Sequence, residues 1–246
     1  MKFRGRKILI TGGSSGIGLE MSKRFIEKGN TVIVCSRSVE KLKAAQSCVS
    51  GIITYQCDIS DEAQCRQLAG WIKEEHPGLS ILINNAAIVN KTDFPGDETI
   101  MKKCAEEFST NFLAPVRLIK LLYPVLEQHK EPVIINITTG LVYTPRTAYP
   151  FYNSTKAALH SFTQVLRHQL KNTSFKVTEV LFPVVDTPWH QGNTPRMAIT
   201  PEKAVNEMIQ LLEKGQQEIK VGAVKLLYFI SRLAPGLAFK KINSLK

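Results

Sequence analysis

The chain has no pattern of paired cysteines. Its five (Cys35, Cys48, Cys57, Cys65 and Cys104) are odd in number and scattered, with no CxxC spacing. That argues against a disulfide framework or a zinc site and fits reduced thiols. It also lacks a long hydrophobic run. No segment approaches the ~20 apolar residues that span a bilayer, and Lys2, Arg4, Arg6 and Lys7 interrupt the start where a signal peptide would be apolar. Both absences predict a cytoplasmic protein. Internal repeats, linkers and low-complexity runs are missing as well, so residues 1–246 read as a single domain with an extension from about 223. A composition of 43% hydrophobic and 22% charged residues argues against disorder.

Acidic residues are scarce in one place. The chain carries 32 basic and 21 acidic residues, for a net charge of +11. From Ile219 onward there are six basic residues (Lys220, Lys225, Arg232, Lys240, Lys241, Lys246) and no acidic one, more than half of the excess. Such a balance suits phosphates, nucleic acid or an anionic membrane surface. Nucleic acid is not expected as a partner, because no recognition motif or aromatic platform accompanies the charge.

Two motifs stand out among what is present. Lys7-Ile8-Leu9-Ile10 reads as a buried parallel strand, and Thr11-Gly12-Gly13-Ser14-Ser15-Gly16-Ile17-Gly18 follows at once, ahead of a helical pattern that stops at Gly29. Strand, glycine loop and helix form the context of a phosphate cradle, in which glycines admit a pyrophosphate to a helix N-terminus. A plain glycine turn is the alternative. The second motif is Tyr152-Asn153-Ser154-Thr155-Lys156. On a helix, residues i and i+4 share a face about 5–6 Å apart. An ammonium there would lower a phenol pKa that otherwise stands near 10, and suit the tyrosine to general acid–base work. A solvated helix pair is the bland alternative.

The GxxxGxG spacing, together with the Tyr-x-x-x-Lys motif, resembles the short-chain dehydrogenase/reductase family in its compact branch. The resemblance runs from Lys7 to about Gly222 and implies several roles. Gly12, Ser14, Ser15, Gly16, Ile17 and Gly18 would line the cofactor phosphates. Ser36 stands where NAD users carry an acid, and Arg37 follows it, able to pair with a 2′-phosphate; this points to NADP, with NAD less favoured. Asp58 and Ile59 would meet the adenine, although an acid here also reads locally as a helix cap. Asn85, Ala86 and Ala87 match the family's NNAG pattern, with Ala87 a departure from its glycine. Pro183, Val185 and Thr187 match PGxVxT, with Val184 replacing the glycine, and Thr187 would bond the nicotinamide carboxamide. The implied catalytic set is Asn111, Thr139, Tyr152 and Lys156. Thr139 lies thirteen residues before Tyr152, where the family has serine; it keeps the hydroxyl but adds a methyl group. Asn111, just before Pro115 in a mostly apolar helix, is expected to kink it and hold a water.

Strands alternate with helices throughout, which predicts an α/β doubly wound parallel sheet (a Rossmann fold) of about seven strands with helices on both faces. Helices are expected over 98–128 and the last strand over 218–222. The resemblance implies NADP-dependent oxidoreduction of a small-molecule carbonyl or secondary alcohol, in a homo-oligomer. The departures at Ala87, Thr139 and Val184 keep open a weakly catalytic NADP-binding scaffold or sensor. In the tail, Leu226, Phe229, Ile230 and Leu233 form a helical stripe among basic residues. It reads either as a cover for the substrate pocket or dimer contact, or as a peripheral membrane element.

Overall fold

A computed structural model describes residues 3–244, so Lys2 and Lys246 of the charge count lie outside it. Seven strands form one sheet: β1 (Lys7–Thr11), β2 (Thr31–Ser36), β3 (Ile53–Gln56), β4 (Leu79–Asn84), β5 (Val133–Thr139), β6 (Lys176–Phe182) and β7 (Glu218–Lys220). Every pairing is parallel, in the order β3-β2-β1-β4-β5-β6-β7. The order reverses between β1 and β4, and a doubly wound sheet opens a crevice at the carboxyl ends of such a pair.

The central strands read as nearly continuous apolar runs because helices cover both faces. Side chains alternate from face to face with period two. Ile8, Ile10, Val32, Val34, Ile81 and Ile83 pack on one side with α1 (Gly16–Glu27), α2 (Val39–Cys48) and α7 (Pro201–Glu213). Leu9, Ile33, Cys35 and Leu82 pack on the other with α3 (Glu62–Glu75) and α5 (Ala114–Leu126). Helix starts follow local capping chemistry. Ser38, Asp61 and Thr200 accept hydrogen bonds from the amides of Lys41, Gln64 and Lys203, and Pro201 takes the first turn of α7. Asp61 therefore caps α3, and Asp58 instead binds the amide and hydroxyl of Ser60 at 2.9 and 2.7 Å.

The structure differs from the sequence reading in four places. The helices expected over 98–128 are α4 (Ile100–Phe108) and α5, joined by a π-helical turn (Ser109–Leu113) that the sequence did not specify. The irregularity thus falls at Asn111 itself, as a wide turn of the kind often found at functional sites, ahead of Pro115 in the first turn of α5. The last strand ends at Lys220, since the chain turns through Gly222 at φ 53°. Val184 needs no glycine-like backbone: Gln191 is the sole non-glycine with positive φ among the described residues. Finally, the tail folds as two helices, α8 (Val224–Leu233) and α9 (Pro235–Ser244), where the stripe pointed to one.

Phe25 carries α1, and with it the glycine loop, onto the sheet: it is fully buried and its ring lies 5.8 Å from that of Phe3. Phe25→Ala is expected to lower unfolding free energy by about 3–5 kcal/mol, read as a drop in the urea midpoint. A loss below about 1 kcal/mol would show that this face does not anchor the helix.

Candidate active site

The site begins where β1 and β4 end. Thr11 Oγ1 accepts the amides of Asn85 and Ala86 at 2.9 and 3.0 Å, and Asn85 Nδ2 donates back to the Thr11 and Gly12 carbonyls. This stitching brings backbones so close that side chains are excluded. A Cβ on Gly18 would lie 2.3 Å from the Gly12 carbonyl oxygen, and one on Gly12 (φ 64°) 2.9 Å from Ala86 Cα. Ser15 caps α1 without a side-chain bond, and no acid occupies the first turn. The first-turn amides therefore face the crevice with a positive dipole end and no competing anion. Such a cradle fits a pyrophosphate. Thr187, downstream of β6, closes its far side, 3.3 Å from where a Cβ on Gly16 would lie.

The other cofactor candidates lie along the same carboxyl edge. Ser36 ends β2, and Arg37 is exposed with no acid paired to its guanidinium among the described residues. Asp58 and Ile59 follow β3, and Ala87 is exposed just beyond β4. Pro183 is half-buried, while Val185 is buried and bridged to Ile199.

Tyr152 and Lys156 sit one turn apart near the start of α6 (Pro150–Gln169). Lys156 is 2% exposed, and its Nζ donates to the Ile137 carbonyl of β5 at 2.9 Å, 5.9 Å from the Tyr152 ring centroid. Burial lowers its pKa to about 8, partly offset by Glu179. The phenol departs from the sequence expectation. Burial pushes Tyr152 up to about 12, Glu107 adds to the rise, and a hydrogen bond with the Thr139 hydroxyl opposes it. The spacing placed an ammonium near the ring, but desolvation of the phenolate outweighs it in the protein alone. Thr139, buried at the end of β5, also accepts the Leu141 amide at 3.3 Å.

Asn111 is fully buried. Its Oδ1 accepts the Ile88 amide at 2.8 Å, and its Nδ2 donates to the Ile88 carbonyl and to Thr155 Oγ1 at 2.9 and 3.2 Å. Thus it ties the loop after β4 to the helix that carries Tyr152 and Lys156.

Two buried acids escaped the sequence reading. Glu107, at the end of α4, accepts both the amide and the side-chain nitrogen of Asn90 on one oxygen, and burial raises its pKa. In sequence it looked like one more surface acid. Glu179 interrupts the apolar run of β6, a signal that was available. It accepts Thr138 Oγ1 on one oxygen and lies 2.8 Å from His160 Nδ1 on the other, so His160 is a partner of this buried acid. That pairing raises the His160 pKa, against the effect of burial.

Comparison with known proteins shows the family and the fold. A family profile for short chain dehydrogenase matches residues 6–198. The oxidoreductase DltE of Bacillus subtilis (strain 168) is 39% identical over 249 residues, covering 99% of each chain. A short chain dehydrogenase from Burkholderia cenocepacia, solved in complex with NADP, superposes with a TM-score of 0.85 at 20% identity, over 98% of this chain and 99% of its own. One from Burkholderia phymatum, in complex with NAD, gives 0.82 at 16%, over 100% and 98%. On the family match and the full-length relative, the chain belongs to the short-chain dehydrogenase/reductase family of oxidoreductases.

Proposed function

We propose that the protein is an NADP-dependent oxidoreductase that interconverts a carbonyl and a secondary alcohol, with Tyr152 as the group that exchanges the proton. The observation that carries this reading is the Tyr152–Lys156 turn, set beside Thr139 on the sheet edge that also holds the glycine cradle. The bound nicotinamide would supply or accept the hydride, and the protein supplies position and proton. The amides at Gly12–Gly18 fit the pyrophosphate. Asp58 and Ile59 fit the adenine end, Asn85, Ala86 and Ala87 the sheet-facing part, and Pro183, Val185 and Thr187 the carboxamide end. Arg37, with no acid paired to it among the described residues and no acid at Ser36, favours a 2′-phosphate over a bare ribose hydroxyl.

In reduction, Tyr152 gives its proton to the substrate oxygen as the carbon receives hydride; in oxidation its phenolate takes that proton back. With a phenol near 12, the proton is in place throughout the neutral range, which favours reduction at neutral pH. Thr139 holds the substrate oxygen through its hydroxyl. Lys156, cationic below a pKa of about 8, stabilises the phenolate left behind and offers a donor to the cofactor ribose. Asn111 fixes the helix that presents both groups and stands where a water chain would return the proton.

Three measurements test this. Tyr152→Phe should lower kcat by about 10²–10⁴-fold while NADPH binding, followed by fluorescence, stays within about twofold of the parent; unchanged turnover would sink the mechanism. Arg37→Ala should raise the KM for NADPH about 10–100-fold and leave that for NADH nearly unchanged; equal effects on both would remove the cofactor preference. Glu107→Gln deletes a negative charge that raises the phenol. Its pH–rate profile should therefore move toward acid, with reduction falling and oxidation rising at lower pH than in the parent. An alkaline displacement, or none, would show that Glu107 does not act on Tyr152.

A further inference from the structure

Beyond β7 the tail presents an apolar surface that, among the described residues, stays largely exposed. Successive residues on a helix are ~100° apart, so Leu226, Phe229 and Leu233 share one face of α8, opposite the side on which Val224 is buried. They are 61%, 61% and 86% exposed, unusual values for large apolar side chains. Lys225 and Arg232 flank that face, and both are exposed. On α9, Leu237 is 61% exposed and shares its face with Lys240 and Lys241, while Ala238 points inward. No acid occurs from Ile219 onward. The nearest acids belong to other elements: Glu207 lies 3.5 Å from Lys225, and Glu218 is occupied by Lys220 and Tyr143.

We propose that the α8–α9 face rests on the surface of an anionic lipid bilayer, with Leu226, Phe229, Leu233 and Leu237 entering the interface and Lys225, Arg232, Lys240 and Lys241 meeting the headgroups. An apolar stripe bordered by cations is the arrangement such surfaces bind, and each half is weak without the other. Charge decides against a second copy of this chain. A two-fold contact sets the same patch against itself, which would press these cations on their own counterparts with no acid in the tail to pair them. Among the described residues no helix is long and apolar enough to cross a membrane, so the contact is peripheral. The face also adjoins the site. A Cβ on Gly140, the residue after Thr139, would lie 3.1 Å from Val224, and Asn243 of α9 accepts the Thr147 amide and donates to the Pro145 carbonyl, just before α6.

The test is flotation of the full chain with vesicles of phosphatidylcholine alone and with about one-third phosphatidylglycerol. Binding is expected only to the second, and is expected to fall away in about 0.5 M NaCl. A Leu226→Ser/Phe229→Ser/Leu233→Ser variant and a Lys225→Gln/Lys240→Gln/Lys241→Gln variant should each lose about 10-fold or more in partitioning, with NADPH binding and circular dichroism unchanged. Equal binding to both vesicle types, or binding to neither, would overturn the proposal. So would a concentration-dependent dimer, seen in sedimentation, that the serine variant abolishes. Tyr152→Phe should float like the parent whatever its turnover, so the catalytic reading and this one fail separately.

Discussion

A buried ammonium is the constraint around which this site is built. Removing a lysine charge from water costs on the order of several kcal/mol even after relaxation, and Lys156 is almost wholly enclosed. Two groups offset that cost. The Ile137 carbonyl accepts from Nζ, and Glu179 contributes a negative charge from the neighbouring strand. Neither offset is complete, and burial lowers the pKa of the ammonium to about 8, below that of an exposed lysine. Glu179 in turn is held by Thr138, which precedes Thr139, and by His160, one turn beyond Lys156 on the same helix. The acid that supports the cation therefore also fixes the strand and the helix between which the cation lies. Tyr152 inherits its position from that arrangement.

The helix is kept in register by polar side chains inside an otherwise apolar layer. Asn84 Nδ2 donates to Asn136 Oδ1, Asn136 Nδ2 to Thr163, and Thr163 to the Leu159 carbonyl, crossing from β4 to β5 to α6 in buried bonds of 2.6–2.8 Å. Asn111 makes a second tie from the π turn to Thr155 on α6. Buried polar groups are expensive to leave unpaired, so such ties choose one register over its neighbours. An apolar contact would tolerate a small slide of α6 along the sheet, and a slide would carry the phenol away from Thr139.

How much of this was legible in sequence follows from the kind of constraint each residue answers. Gly12 and Gly18 were legible because a close backbone approach leaves no room for a Cβ, and Gly16 because its φ of 52° favours glycine, so the requirement is written as glycine whatever surrounds it. The central strands were legible because burial on both faces demands nearly continuous apolar runs. Tyr152 and Lys156 were legible as neighbours, since helix geometry alone sets that spacing. The sign of the phenol shift was not, because desolvation depends on what the rest of the chain packs around the hydroxyl. Glu107 was hidden for the same reason: its sequence, Glu106-Glu107-Phe108, is that of a surface helix, and only tertiary packing encloses it. The doubt over Val184 came from a family pattern in which glycine stands there, and the backbone shows an ordinary φ. The second tail helix was missed because Pro235 reads as a stop, although proline serves equally well as a first helical residue.

The tail joins these two levels. Its inner side follows the logic of the core, with Val224 and Leu227 closing over Gly140 at the end of β5, and Tyr228 edge-on to Tyr143 with Lys220 4.4 Å over its ring. Its outer side follows the logic of a surface that meets something other than water. One short helix carries both sides, so the exposed Leu226 and Phe229 lie on the same helix as Val224 and Leu227, which pack on the residue next to Thr139. Asn243 extends the contact to the segment that leads into Tyr152. In this fold the tail packs directly on the strand end that carries Thr139 and on the segment that leads into Tyr152.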